Sequence, residues 1–243
     1  MIPKTLHYVW LGRNKKPRNI IQCIDSWHNM MPDYNIKEWN EQNFDCDNIP
    51  FTKEAIALKK YAFAADYIRL FALQTEGGFY LDTDVMVYKS FDPLRINKFV
   101  GGTEAYDFKG ETKYRLEAAI MGAEKEHPLI CKFLNFYKNR HFIKDNGTTD
   151  EEVIQSIITK IIEEFGYLRI NHNQSLKYDI QIYSTDVFAN TISKDHQKHN
   201  TVYAVHQNVG SWIDYSERGF LFKFCKRYNL MDFYHQIEKK IKL

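Results

Sequence analysis

Residues 61–88 read YAFAADYIRLFALQTEGGFYLDTDVMVY. Ala62, Phe63, Ala65, Ile68, Leu70 and Leu73 make Tyr61–Glu76 a helix that is apolar around most of its circumference, which places it inside the molecule. Asp66 and Arg69, three apart, share one face of it. Gly77-Gly78 supplies a left-handed cap and room for a close approach of backbone to a ligand. Phe79–Leu81 is a short strand, Asp82-Thr83-Asp84 stands at its C-terminal end, and Val85–Tyr88 is apolar again. Open α/β sheets place ligands at such strand ends. Residues two apart on an extended chain point the same way, so the two carboxylates converge. Left alone they would raise each other's pKa; Mg²⁺ or Mn²⁺ bridging a diphosphate removes the conflict. A polar turn between two strands is the other reading. An Asp-x-Asp pair is weak by itself, and Asp45-Cys46-Asp47 repeats it in a polar loop with no strand before it.

Outward from this block, Thr5–Leu11 reads as a buried strand ended by Gly12, and Tyr34–Trp39 as a second. Between them Ile20, Ile21, Ile24, Trp27 and Met31 recur at helical spacing over Arg18–Met31, stopped by Pro32. Asn40–Pro50 is a loop and Lys53–Lys60 a short helix. Lys98–Thr103 and Leu116–Gly122 look like strands. A helix from Pro128 runs to about Arg140, and another, capped by Thr149 or Asp150, runs through Phe165. Gln181–Ser184 and Val202–His206 are late strands. This alternation predicts an α/β layered sheet.

The 243 residues suit one globular domain, or one with a small appendage, and 44% hydrophobic content excludes a disordered or low-complexity chain. A net charge of +2 argues against nucleic acid as the main partner. No apolar run approaches a membrane span, and the N-terminal residues lack a signal-peptide core. Cys23, Cys46, Cys131 and Cys225 form no metal-type pair, so a reduced, cytoplasmic protein is expected.

The run Ala65-Asp66-Tyr67-Ile68-Arg69 followed by Gly77–Asp84 resembles the family 32 DxD sugar-nucleotide glycosyltransferases. That family includes yeast initiating mannosyltransferases and bacterial capsule and lipopolysaccharide enzymes. The spacing of Asp66, Arg69, Tyr80, Asp82 and Asp84 also resembles the catalytic domains of the large clostridial glucosylating toxins. Ile2–His7 with Trp10 and Gly12, Ala119–Pro128, Ile180–Phe188, and His206 with Ser211-Trp212 resemble further family elements in order.

The resemblance implies a GT-A type fold, a Rossmann-like mixed sheet flanked by helices, over residues 1–214. It also implies a retaining, metal-dependent transfer of a hexose from a nucleotide diphosphate sugar, UDP-sugar favoured, to a saccharide or lipid-linked saccharide acceptor in surface polysaccharide synthesis. The alternative is a sugar-nucleotide-binding protein without transferase activity. Asp82, Asp84 and Arg69 would be catalytic, and Asp82, Asp84 and His206 would hold Mn²⁺ or Mg²⁺. Trp10 would flank the base, Asp66 and Arg69 would hold ribose and sugar hydroxyls, and Tyr80 would line the donor pocket. Asp82 also faces the ribose, and Ser211 and Trp212 contact the diphosphate or sugar. Taken without the resemblance, Trp10 is as readily a core residue, His206 at the end of an apolar strand reads as a satisfied core histidine, and Asp66–Arg69 as a structural ion pair. In the toxin domains a carboxylate replaces His206, with a different spacing to Ser and Trp. The Gly-Pro element of many relatives is missing, and Asn171–Tyr178 stands in its place.

Residues 215–243 read as a basic, aromatic helical tail, with seven Lys and Arg against three acids. Such a segment either packs on the domain or makes peripheral contact with an anionic membrane, here the inner face.

Overall fold

The computed structural model of the chain describes residues 1–189 and 201–208. In chain order its elements are β1 (Thr5–Val9), α1 (Arg18–Met30), β2 (Asn35–Trp39), α2 (Pro50–Ala57), α3 (Tyr61–Glu76), β3 (Gly78–Leu81), β4 (Val85–Val87), β5 (Phe99–Phe108), β6 (Glu111–Ala123), α4 (Pro128–Phe136), α5 (Ile154–Glu163), β7 (Gln174–Leu176), β8 (Ile180–Tyr183), β9 (Phe188–Ala189) and β10 (Ala204–His206). A 7-stranded sheet runs β2-β1-β3-β6-β5-β8-β7, and a 3-stranded sheet runs β4-β10-β9. β2, β1 and β3 are parallel, β6 is antiparallel to both β3 and β5, and β8 is parallel to β5. The expected α/β class, a mixed sheet flanked by helices, is the one observed. The tail expected to be helical lies outside the described residues, as does the boundary between residues 214 and 215.

Period-two alternation divides the core into two layers. Tyr80 and Met121 face one cluster with the apolar sides of α2, α3, α4 and α5. Phe79 and Leu81 face the other, with Trp27 of α1 and the residues of the small sheet. Trp27 is fully buried and donates its indole N–H to the Val85 carbonyl at 2.7 Å, which fastens β4 to α1. Among the described residues no helix is long and apolar enough to cross a membrane.

Five expectations change. The hairpin β5–β6 is far longer than the two short strands read from sequence. Its outer half, Glu104–Arg115, carries mostly polar side chains because it extends past the core, and it is held by ladder hydrogen bonds and the Glu104–Arg115 ion pair at 2.7 Å. Lys109 and Gly110, both at positive φ, make its turn. α5 starts at Ile154 with no side-chain cap, because Asp150 is taken by Arg140 at 2.6 Å. α2 begins three residues early, with Pro50 in its first turn, and α4 ends at Phe136 rather than Arg140. Gly77 and Gly78 do sit at φ +68° and +101°, but the room they leave is filled by protein. A Cβ on Gly78 would lie 2.5 Å from the Thr5 carbonyl oxygen, and one on Gly77 would lie 2.7 Å from the Lys125 nitrogen. The glycines let α3 turn directly into a strand pressed against β1.

His7 secures that turn. It is fully buried; its Nδ1 accepts from the Trp39 indole N–H at 3.1 Å, so Nε2 carries the proton and donates to the Gly77 carbonyl at 2.7 Å. Burial lowers its pKa from the ordinary 6.5, against the opposing pull of the Gly77 carbonyl. A histidine whose folded pKa is depressed contributes stability that is fully present above pH 6.5 and is lost as pH falls through the folded value. Replacing His7 by Phe leaves a buried donor and a buried acceptor unpaired. The expected cost is about 2–4 kcal/mol. Denaturant melts at pH 7.5 and pH 5 test both points: the gap between wild type and His7→Phe should be wide at pH 7.5 and narrower at pH 5. A pH-independent gap rejects the lowered pKa of the buried ring.

Candidate active site

The Asp-x-Asp segment is built by three backbone bonds. Asp82 N–H donates to Ala119 O on β6 at 2.9 Å, Val85 N–H returns to Asp82 O at 3.0 Å, and Gln207 N–H donates to Asp84 O at 3.0 Å. The first keeps Asp82 on the sheet edge, the second closes a tight turn over Thr83-Asp84, and the third draws in the end of β10. The carboxylates therefore converge through a turn rather than along an extended strand. β10 pairs antiparallel with β4, with His206 opposite Val85. One ligand atom from each of Asp82, Asp84 and His206 lies within 4.8 Å of the others. His206 Nε2 is 3.2 Å from Asp84 Oδ1. Burial works to lower the imidazole pKa, but the carboxylates of Asp84 and Glu117 outweigh it and hold the ring well above its ordinary value.

Beside this trio sits a buried charge cluster on α3. Arg69, 5% exposed, donates from Nη1 to Ala118 O at 2.8 Å and from Nη2 to Asp66 Oδ1 at 2.9 Å. Nη1 also lies 3.4 Å from Asp82 Oδ1, and the guanidinium stands 4.7 Å from the centre of the Tyr80 ring. Burial opposes the charge on Arg69, and Asp82 and Asp66 more than restore it. Burial pushes the Asp66 carboxyl up to about 7, with Arg69 pulling the other way. Asp66 and Arg69 do form an ion pair, and Arg69 is also the link to Asp82. Tyr80, expected to line the donor pocket, has a ring only 2% exposed; its hydroxyl donates to Asp82 Oδ1 at 2.8 Å.

Trp10 stands just past the end of β1, half-buried, its indole N–H donating to Asn14 O at 2.7 Å and Lys16 lying 5.5 Å from its ring centre. Ser211 and Trp212 lie outside the described residues. Asp45-Cys46-Asp47 is a surface turn: Asp45 accepts from the Asp47 N–H at 3.2 Å, and Asp47 faces solvent near Lys53. His127 caps α4 by accepting from Leu129 N–H at 3.2 Å and ties it to the Tyr178 carbonyl. A shallow recess on α4 and α5, reaching Cys131, Phe136 and Glu164, includes none of the residues above.

Sequence reasoning missed Glu117. It lies on β6, fully buried, with Oε1 3.6 Å from His206 Nδ1. Burial pushes its carboxyl up to about 7, against the pull of His206. A charged residue inside the otherwise apolar run Leu116–Gly122 was the available signal.

Residues 17–100 match the family described as "Glycosyltransferase sugar-binding region containing DXD motif". Toxin Afp18 of Yersinia ruckeri is 31% identical over 102 residues, 42% of this chain and 5% of the toxin. Inositol phosphoceramide mannosyltransferase 3 of Schizosaccharomyces pombe is 27% identical over 150 residues, 58% of this chain and 40% of that protein. The chain therefore spans well under half the length of either. Among solved structures, the PaToxG glycosyltransferase is 22% identical with a TM-score of 0.46, over 67% of this chain and 69% of that one. Residues 17–100 are thus similar to the sugar-binding region of DxD glycosyltransferases, and Asp82-Thr83-Asp84 lies within the matched residues.

Proposed function

We propose that this chain is a retaining, metal-dependent glycosyltransferase. Its donor is a nucleotide diphosphate sugar, UDP-sugar favoured, and its acceptor a saccharide or lipid-linked saccharide in surface polysaccharide synthesis. The observation that carries the reading is the convergence of Asp82, Asp84 and His206 within 4.8 Å at the end of β3. Two carboxylate oxygens and one imidazole nitrogen fit Mn²⁺ or Mg²⁺. Such an ion supplies Lewis-acid neutralisation of the departing diphosphate.

The chain's own residues divide the remaining work. Tyr80 and Arg69 both engage Asp82 Oδ1, which fixes the rotation of that carboxylate. Arg69 and Asp66 would hold the hydroxyls of ribose and sugar, and orientation of the anomeric carbon follows from such contacts. Arg69 Nε has no hydrogen-bond partner among the described residues. Trp10 flanks the base, and Ser211 and Trp212 meet the diphosphate. No side chain stands out as a separate nucleophile among these residues, in keeping with a front-face displacement in which the leaving phosphate helps to deprotonate the acceptor.

A donor screen tests the reading: nucleotide release from UDP- and GDP-sugars, with and without Mn²⁺. Metal-dependent release is expected. Donor binding by thermal shift with no turnover would leave a sugar-nucleotide-binding protein.

Asp84→Asn should lower kcat by roughly 100-fold or more with the fold nearly intact, since it weakens the metal site without removing core atoms. Asp47→Asn in the solvated pair should leave kcat within about twofold. The reverse pattern would transfer the site to the wrong loop.

Arg69→Lys keeps the charge but loses the planar fork that reaches Ala118, Asp66 and Asp82 together. On folded protein, kcat/KM should fall by about 10–100-fold. Reduced Tm with unchanged kinetics would reduce Arg69 to a structural part.

A further proposal places the protein in the cytoplasm, at the inner membrane face, through residues 215–243. Salt-sensitive co-sedimentation with anionic vesicles, lost on deleting residues 217–243, is the expected result; indifference to vesicles rejects it.

A further inference from the structure

Glu117 is a carboxylate that the fold has enclosed without giving it a conventional partner. It projects from β6, is fully buried, and neither of its side-chain oxygens has a hydrogen-bond partner among the described residues. Nor is it merely wedged between apolar side chains. On β5, Gly102 leaves the space that Glu117 fills: a Cβ there would stand 3.0 Å from Glu117 Oε2 and 3.1 Å from the Phe188 Cβ. The β5–β6 register slips between Gly101 and Thr103, beside the same glycine. The nearest complementary group is His206, whose Nδ1 is 3.6 Å from Glu117 Oε1. The other ring nitrogen, Nε2, is 3.2 Å from Asp84 Oδ1. The imidazole thus spans two carboxylates, one on the DxD turn and one on the central sheet. A small rotation of either side chain closes the 3.6 Å gap to a hydrogen bond.

We infer that Glu117 is a positioning residue: it accepts the Nδ1 proton of His206 and so presents the Nε2 lone pair to a divalent cation shared with Asp82 and Asp84. The inference rests on the metal reading of that trio. A ring nitrogen that binds a cation must be unprotonated, and the proton on the other nitrogen then needs an acceptor. Among the described residues, Glu117 is the carboxylate on that side of the ring. The arrangement explains why an acid sits in Leu116–Gly122, where apolar residues and glycine otherwise meet the demands of packing.

The test is a Mn²⁺ titration of the full chain, with free Mn²⁺ read by electron paramagnetic resonance and no donor present. Wild type, Asp84→Asn, His206→Ala, Glu117→Gln and the Glu117→Gln/His206→Ala double variant are compared. Glu117→Gln should weaken Mn²⁺ about 10–100-fold. The double variant should bind no more weakly than His206→Ala, because Glu117 acts through that ring. Glu117→Gln within twofold of wild type, or additive losses in the double variant, overturns the inference while leaving the metal site standing. Wild-type protein without saturable Mn²⁺ binding, or Asp84→Asn and His206→Ala both binding normally, overturns the metal reading itself. Should Glu117→Gln fail to fold, wild type saturated with Mg²⁺ still decides: ¹⁵N NMR should find His206 as the Nδ1–H tautomer, and the Nε2–H form rejects the role.

Discussion

A guanidinium with 5% of its surface exposed must be neutralised where it stands. Arg69 meets that demand with three elements at once: Asp66 on its own helix, the Ala118 carbonyl on β6, and Asp82 at the end of β3. Removing any one of these leaves a buried charge short of a partner, at a cost of several kcal/mol. The cation therefore sets the distance between α3 and the sheet and fixes where the first aspartate of the DxD turn sits. Tyr80 adds a second hold on the same carboxylate oxygen. The Asp82 carboxylate is thus held from beneath by two donors, which is the kind of preorganisation that binding of a charged group requires.

Much of this was legible in the chain. Tyr61–Glu76 was read to its true boundaries, because its apolar circumference and the glycine pair after it leave little choice. The strand and the DxD turn followed from the same stretch. What was hidden depended on tertiary context. The outer hairpin has no apolar alternation because it extends past the core clusters of the described residues, so its signal is the Lys109-Gly110 turn. The bond from the Tyr80 hydroxyl to Asp82 depends on how the sheet seats the ring, which no local pattern shows. His7 reads as one more residue in an apolar strand, although both of its nitrogens are committed, to Trp39 and to Gly77. Glu117 and His206 are nearly ninety positions apart, and no local pattern could pair them. Spacing alone did not select His206 from the other histidines; the family resemblance did.

The two sheets have different duties. The larger one carries the helices and the charge cluster, and its parallel core β2-β1-β3 ends at the DxD turn. The smaller one, β4-β10-β9, has short strands and little ladder of its own. It is held through Trp27, whose indole reaches the Val85 carbonyl, and through the apolar cluster beneath it. Its contribution is to bring the end of β10 beside a turn that the larger sheet has already placed.

That pairing has a consequence for how the protein comes into being. Asp84 and His206 are about 120 positions apart, and joining the ends of a loop that long costs roughly 4 kcal/mol of chain entropy. The contact is among the most non-local in the described fold, so β10 is a natural late arrival during folding. A ribosome emits the DxD carboxylates long before the histidine that completes their set. Throughout that interval the growing chain carries the two aspartates with no imidazole beside them. The cluster is completed late, by a three-residue strand, and a chain that stalls before β10 docks has its aspartates without the neighbouring imidazole.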